Sequence, residues 1–295
     1  MDKSKSVLAK LKNKSKGSGK SMQLHMQLFC QEELLRRISK SKYKEHFVLK
    51  GGLLIYMISG FEGRATVDMD FLLRHIDNTI EKIQEVVKEI IEVSTDNDFI
   101  RYEIISCEKI SANKKYNGIS VQLIARIENT RTSLYMDFGI GDVIIPDSEM
   151  RLIKTQLDEF EEVEIATYSL ESTIAEKVDA ILQRFELTSR MKDFYDIYYI
   201  ASTFDFNGET LYEAVKKTIE NRGTILEEDS FDRIMNLNTD DIILKRWLAF
   251  QKKFLIELGF DDVILFLDKF LRSLFMAIAT GSRFAGQWNS KEESW

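Results

Sequence analysis

His46-Phe47-Val48-Leu49-Lys50-Gly51-Gly52 and, after an apolar run, Arg64-Ala65-Thr66-Val67-Asp68-Met69-Asp70-Phe71 decide how this chain is read. The first four residues suit a short strand, and Leu53 to Ile58 suit a short buried helix closed by Gly60 and Gly63. Gly51 and Gly52 therefore fall between strand and helix. Glycine there permits unusual backbone angles and close approach of a ligand. The helix start that follows leaves N–H groups free to attract phosphate. Thr66 to Leu73 reads as a strand, on which Thr66, Asp68, Asp70 and Leu72 share one face. Val67, Met69 and Phe71 take the other face and can enter a core. Two carboxylates on one face with no lysine between them repel, and Mg²⁺ prefers such an oxygen site. The bland alternatives are a tight turn without a ligand and the exposed face of a half-buried strand.

A third acid lies in Leu134-Tyr135-Met136-Asp137-Phe138-Gly139. Tyr135 and Asp137 share a face there, and an acid on a core-like strand needs a partner or a metal. Three carboxylates from two neighbouring strands would suit two Mg²⁺ ions roughly 3.5–4 Å apart. Asp142 is a rival for the third position, beyond Gly141. A second charged cluster comprises Glu176, Lys177 and Arg190-Met191-Lys192-Asp193-Phe194-Tyr195-Asp196. Helical spacing brings Asp193 near Asp196 and lets Lys192 pair with Asp196. A salt-bridged helix surface is the bland reading. The surrounding aromatics suggest partly buried polar groups instead, with Lys177 as a candidate to neutralise phosphate.

The chain has 295 residues, 44% hydrophobic and 30% charged, with a net charge of -7. That length allows one large or two modest domains. No apolar run is long enough for a membrane span, and the lysine-rich start lacks the apolar segment of a secretory signal, so a cytoplasmic protein is expected. Cys30 and Cys107 have no metal-ligand spacing and suggest a reducing compartment. His25, His46 and His75 are isolated, which argues against a histidine zinc site or triad. The net charge is not that of a simple nucleic-acid binder. Lys3, Lys5, Lys10, Lys12, Lys14, Lys16 and Lys20 nevertheless crowd the start, either to meet phosphates or as a solvated, partly disordered terminus. Val7, Leu8 and Leu11 also fit a helix.

Apolar periodicity predicts helices over 21–40 and 78–93, and strands at Phe99–Ser106, Gly118–Glu128 and Thr132–Ile145, punctuated by Asn117-Gly118 and Asn129-Thr130-Arg131. Pro146 is the one proline. Beyond residue 165 the pattern is helical: Leu170–Phe185, Met191–Thr203, Glu209–Asn221, Phe231–Asn236, Thr239–Leu258 and Asp261–Ile278. The tail after Gly281 reads as weakly structured, anchored by Trp288 and Trp295. The expected architecture is α+β. A basic segment and helix (1–45) precede a mixed-sheet core (46–165) and a helical C-terminal domain (166–295).

In this order, Phe47-Val48-Leu49-Lys50-Gly51-Gly52, Arg64-x-Thr66-x-Asp68-x-Asp70, Asp137, Ala175-Glu176-Lys177 and Arg190-x-Lys192-Asp193-x-x-Asp196 resemble the AbiEii/AbiGii toxin family of nucleotidyltransferases. So does Glu33-Leu34-Leu35-Arg36-Arg37-Ile38-Ser39-Lys40-Ser41. The resemblance covers about residues 20–200 and implies a nucleotidyltransferase core like that of DNA polymerase β. It further implies a type IV toxin–antitoxin toxin, in some members active in abortive infection against phage. The antitoxin would be a transcriptional repressor that need not bind the toxin. Members bind NTPs, and some transfer nucleotides to the 3′ end of tRNA and block translation. Carried over, Asp68 and Asp70 are metal ligands, Lys177 contacts the triphosphate and Asp193 completes the active site. Gly51 and Gly52 match the phosphate turn, where many members carry Ser or Ala at the second position. Asp137 matches the third acid of the wider superfamily.

The expected enzyme is a Mg²⁺-dependent nucleotidyltransferase (EC 2.7.7-type). Asp68, Asp70 and Asp137 would hold metal. Lys50, Gly51, Gly52, Arg64, Thr66, Lys177 and Arg190 would bind nucleotide. Asp137 or Asp193 would orient or deprotonate the nucleophile, and the NTP would lie between sheet core and helical domain. Three rivals stand beside this reading: an antibiotic-type small-molecule nucleotidyltransferase, a D-x-D glycosyltransferase, and a nucleotide- or RNA-binding module without turnover. The short distance from Gly52 to Asp68 and the third acid speak against the glycosyltransferase. Which NTP, which acceptor and which oligomeric state are not encoded legibly.

Overall fold

Strand-forming and helix-forming patterns segregate along the chain, and the computed structural model, which describes residues 3–110, 118–227 and 229–295, follows that division. Asn117 of the expected Asn-Gly turn lies outside the described residues. Two compact units form: Met1–Gly141 with Glu149–Thr167, and Asp142–Ser148 with Tyr168–Trp295.

The first unit is built on a seven-stranded sheet. Its strands are β1 (Phe47–Lys50), β2 (Asp68–Leu73), β3 (Ile100–Lys109), β4 (Ile119–Ile127), β5 (Thr130–Gly139), β6 (Glu149–Ile153) and β7 (Val163–Thr167). The order is β3-β4-β5-β2-β1-β7-β6. The sheet is mixed: β1 runs antiparallel to β2 and parallel to β7, and β2 runs parallel to β5. On β4 every second residue from Ile119 to Ile127 is buried, the period-two pattern of a sheet with one face in the core. The short β6 and β7 were not expected from sequence. The expected strand to Ile145 ends at Gly139, because Asp142–Ser148 leaves the sheet and packs with the second unit.

Helices α1 (Lys3–Ser18), α2 (Met22–Lys40), α3 (Gly51–Ile58) and α4 (Ile80–Ile91) complete this unit. α2 is buried from His25 to Ile38, so its polar residues need internal partners. Glu33, fully buried, faces Arg36 at 2.7 Å and Arg37 at 3.3 Å and also accepts from Thr95 and Asn97. The Glu33–Arg37 segment that stood out in the sequence is thus a structural ion network. The lysine-rich start is ordered, contrary to the reading of a partly disordered terminus. α1 buries Ser4, Val7 and Leu11, and several lysines turn back onto the unit. Lys3 donates to the Asp96 carbonyl, Lys14 to the Gln156 carbonyl and Lys10 to Glu159.

The second unit holds α5 (Leu170–Leu182), α6 (Met191–Thr203), α7 (Gly208–Arg222), α8 (Ser230–Met235), α9 (Asp241–Phe254) and α10 (Phe260–Thr280). A short ribbon pairs β8 (Phe206–Asn207) with β9 (Gln287–Trp288). The tail is therefore tied down, against expectation. Trp288 is fully buried and its indole donates to the Ala201 carbonyl at 2.7 Å. Trp295 stacks on Phe270 and donates to its carbonyl at 2.9 Å, and Phe284 adds an edge contact to Trp295. No helix among the described residues is long and apolar enough to cross a membrane.

Candidate active site

The Gly-Gly turn, the D-x-D strand and the third acid meet on one part of the sheet in the first unit. Lys50 is the register partner of Asp70 across β1 and β2. Asp70 is in turn the partner of Asp137 across β2 and β5, and Asp68 that of Tyr135. Asp70 and Asp137 are thereby neighbours on two parallel strands. Asp137 is held by Ser120, its own partner on β4, whose hydroxyl donates to Oδ1 at 2.6 Å.

Gly51 adopts φ +71°, a left-handed angle that L side chains rarely take. A Cβ placed there would overlap Asp70 Oδ2 and lie 2.8 Å from Asp70 Cγ. The turn therefore closes directly on the carboxylate. A Cβ on Gly52 would lie 3.1 Å from Arg64 Nη2 and 3.2 Å from Thr66 Oγ1, so Arg64 and Thr66 pack against the same turn. α3 begins at Gly51 itself, one turn-half earlier than expected, and Lys50 makes no side-chain cap to it. Its first N–H groups are left uncapped by that side chain, and such groups attract anions.

The expected strand Thr66–Leu73 begins only at Asp68, so Thr66 and Val67 belong to the approach rather than the sheet. Val67 does not enter the core as predicted: it is 47% exposed. Its carbonyl is instead turned onto α2, where Gln27 and Gln31 each donate to it at 3.0 Å.

Among the described residues no group of three or more His, Cys, Asp or Glu side chains forms a ready-made metal cage. The donor set still fits Mg²⁺. This ion dehydrates reluctantly and is usually held by one or two carboxylates plus substrate phosphates, not by an all-protein cage. Asp68 and Asp70, two residues apart on one strand, would be donors of that kind.

In the second unit, Lys177 on α5 lies between two buried acids of α6. Its ammonium donates to Asp196 and stands 3.5 Å from Asp193 Oδ1. Arg190 reaches Asp193 with Nε and, at 3.3 Å, with Nη2. Both aspartates are fully buried and Lys177 nearly so. The sequence reading of buried polar groups is correct here, and Lys177 is one partner of Asp196. Burial pushes the Asp193 carboxyl up, yet Lys177 and the Arg190 hydrogen bond outweigh it and hold Asp193 below the usual carboxylate range. A carboxylate so stabilised is a weak base.

Asp142, the rival third acid, belongs to a different cluster of the second unit. Arg222 bridges it at 3.0 Å, Glu176 at 2.8 Å and Asp179 at 3.2 Å. Burial alone would lower the Arg222 guanidinium, but these three acids raise it further above its already high value. Neither Arg222 nor the glutamine pair of α2 was singled out in the sequence. Glutamines at i and i+4 in an apolar helix, and an arginine near a helix C-terminus, give no local sign of partners far away in the chain.

The family described as nucleotidyl transferase AbiEii toxin, type IV toxin–antitoxin system, matches residues 33–264. No curated protein matches the chain. Among solved structures, MenT4, a nucleotidyltransferase toxin from Mycobacterium tuberculosis H37Rv, aligns with TM-score 0.56 at 18% identity, covering 93% of this chain and 99% of that one. JHP933 from Helicobacter pylori aligns with TM-score 0.47 at 13% identity, over 85% of this chain and 94% of its own.

Proposed function

Since the chain belongs to the AbiEii nucleotidyl transferase toxin family of type IV toxin–antitoxin systems, we propose that it transfers a nucleoside monophosphate from an NTP to the 3′ end of tRNA and so blocks translation. The observation that carries the reading is the closure of Gly51 on Asp70, with Asp137 paired opposite.

In this reading Gly51, Gly52 and the start of α3 receive phosphate oxygens, and Thr66 and the Arg64 guanidinium border the same turn. Asp68 and Asp70, with Asp137 beside them, would hold Mg²⁺, which would offset phosphate charge and polarise the reacting phosphorus. Lys50 adds positive charge at that turn, and Lys177 and Arg190 are the further cations that the family assignment offers to the triphosphate. A lysine ammonium has three donors, so Lys177 can keep its aspartates and still offer a hydrogen to a phosphate. An acceptor hydroxyl attacks the α-phosphorus, the bond to the β-phosphate oxygen breaks, and pyrophosphate leaves. Asp137 orients that hydroxyl or takes its proton. Asp193 keeps Lys177 in place, because its lowered pKa makes it a poor proton acceptor. The antitoxin acts as a transcriptional repressor without needing to bind this chain, and the biological setting is abortive infection of phage-infected cells.

The test is incubation of the protein with total tRNA, Mg²⁺ and each labelled NTP. Label on tRNA in the wild type, and none in Asp68→Ala or Lys177→Ala, is the expected result. Label that survives either substitution would overturn the site assignment. Label only on a small molecule would favour the antibiotic-type enzyme.

A further inference from the structure

Two buried glutamines of α2 converge on a single backbone oxygen beside the D-x-D strand. Gln27 is 6% exposed and Gln31 1%, and both Nε2 atoms lie 3.0 Å from Val67 O. They stand at i and i+4, so one face of α2 presents both amides. A carbonyl oxygen has two lone pairs, and here each takes a donor. Burying two long amide side chains to satisfy one oxygen costs side-chain entropy and desolvation.

The position of that oxygen explains the arrangement. Val67 O belongs to the peptide that joins Val67 to Asp68. Val67 is 47% exposed, so side-chain packing holds this peptide only in part. Asp68 itself is exposed and begins β2, where the strand ladder does not yet hold the chain on its upstream side. The start of the same segment is also fastened. The Lys20 ammonium donates to Phe61 O at 2.5 Å and to Tyr56 OH at 3.1 Å, and Phe61 has a left-handed φ of 69°. Residues 61–67 are therefore fixed at both ends by groups that lie outside the predicted site.

We propose that Gln27 and Gln31 are positioning residues that set the Val67–Asp68 peptide plane and so aim the Asp68 carboxylate alongside that of Asp70. This rests on the reading of Asp68 and Asp70 as the metal-holding pair. Without the two amides the peptide loses two contacts that set its plane, and the Asp68 carboxylate is aimed less sharply while the sheet stays intact. Affinity for a divalent ion should fall, and the nucleotide's own contacts with the Gly51-Gly52 turn should persist.

The variants are Gln27→Met, Gln31→Met and the pair, each keeping length and losing the donor. Mn²⁺ binding to the full chain is titrated by electron paramagnetic resonance in the presence of a non-hydrolysable NTP analogue. Thermal melting and analogue affinity without metal are recorded beside it. Each single variant keeps one amide on Val67 O and should weaken Mn²⁺ binding measurably, by about two- to threefold. The double variant should weaken it about tenfold or more, beyond the product of the singles, with metal-free analogue affinity within about twofold of wild type. Unchanged Mn²⁺ affinity in a folded double variant would overturn the proposal. If the double variant fails to fold, singles that each match wild type in Mn²⁺ affinity while melting lower would overturn it equally, by assigning the amides to stability alone. Asp68→Asn separates the two claims. If it binds Mn²⁺ as the wild type does, the metal-site reading itself fails, whatever the glutamine variants show.

Discussion

Gly51 and Gly52 look interchangeable in sequence but are held by different constraints. At Gly51 an alanine would carry roughly 1–2 kcal/mol of left-handed backbone strain and would also collide with the Asp70 carboxylate. At Gly52 the new methyl meets Arg64 and Thr66 at 3.1–3.2 Å, which a small shift of two side chains relieves. Gly51→Ala should thus cut nucleotidyl transfer at least about a hundredfold, and Gly52→Ala by about tenfold or less, in steady-state assays at saturating Mg²⁺. A like effect at both would mean that the closure on Asp70 is not what matters. Lys177 gives a second case. Lys177→Met leaves Asp193 and Asp196 buried without the ammonium that faces both, a loss of about 3–5 kcal/mol by chemical denaturation. Glu32 behaves oppositely to Asp193. Burial pushes its carboxyl up to about 8, against the lowering effects of the Gln156 N–H, Arg36 and Lys14. Its folded pKa exceeds its unfolded 4.5, so the native state holds a proton that the unfolded chain releases. Stability should therefore decline as pH rises from about 4.5 to about 8. Glu32→Gln should flatten that decline, as read from melting temperatures across pH 5–8.5. Glu32 is fully buried, yet as one acid in a charged run of a predicted helix it gave no sign of this in the sequence.

Elements were legible where their own residues dictate them. The period-two burial of β4 and the 3.6-residue stripe of α4 follow directly from Ile119–Ile127 and from Ile83, Val86, Val87 and Ile90. The elements that escaped depend on remote partners. β6 and β7 are five residues each, and Glu161, Glu162 and Glu164 make their surroundings read as a polar loop. The C-terminal ribbon exists because Trp288 and Trp295 find Ala201 and Phe270, contacts no local pattern announces. α1 was open between a solvated tail and a helix because lysines obscure a narrow stripe of Val7 and Leu11. Of the site, the Gly-Gly turn, the D-x-D pair and the Lys177 cluster were visible. The Val67 clasp was not, because it is made of backbone and of glutamines forty and thirty-six residues away. Leu11 is completely buried, so Leu11→Ala should cost about 2–4 kcal/mol in urea unfolding. Lys10→Gln removes only an exposed pair with Glu159 and should cost under about 1 kcal/mol. Equal effects would show that α1 is held by its charges and not by its apolar stripe.

At the scale of the molecule, family membership over residues 33–264 and the mixed sheet of the first unit agree on a nucleotidyltransferase. In the first unit Asp70 and Asp137 are register partners, and in the second Lys177 and Arg190 are paired with buried aspartates. The net charge of -7 leaves little general attraction for nucleic acid. The central claim is that this chain moves the α-phosphoryl of an NTP under the control of the D-x-D pair. It is tested most directly by following one NTP labelled in parallel at the α- and at the γ-phosphorus, with total RNA as acceptor. The account predicts α-label on the acceptor and γ-label only in released pyrophosphate, with both signals lost in Asp70→Asn. Label carried over from the γ-position, or α-transfer undiminished in Asp70→Asn, would contradict it.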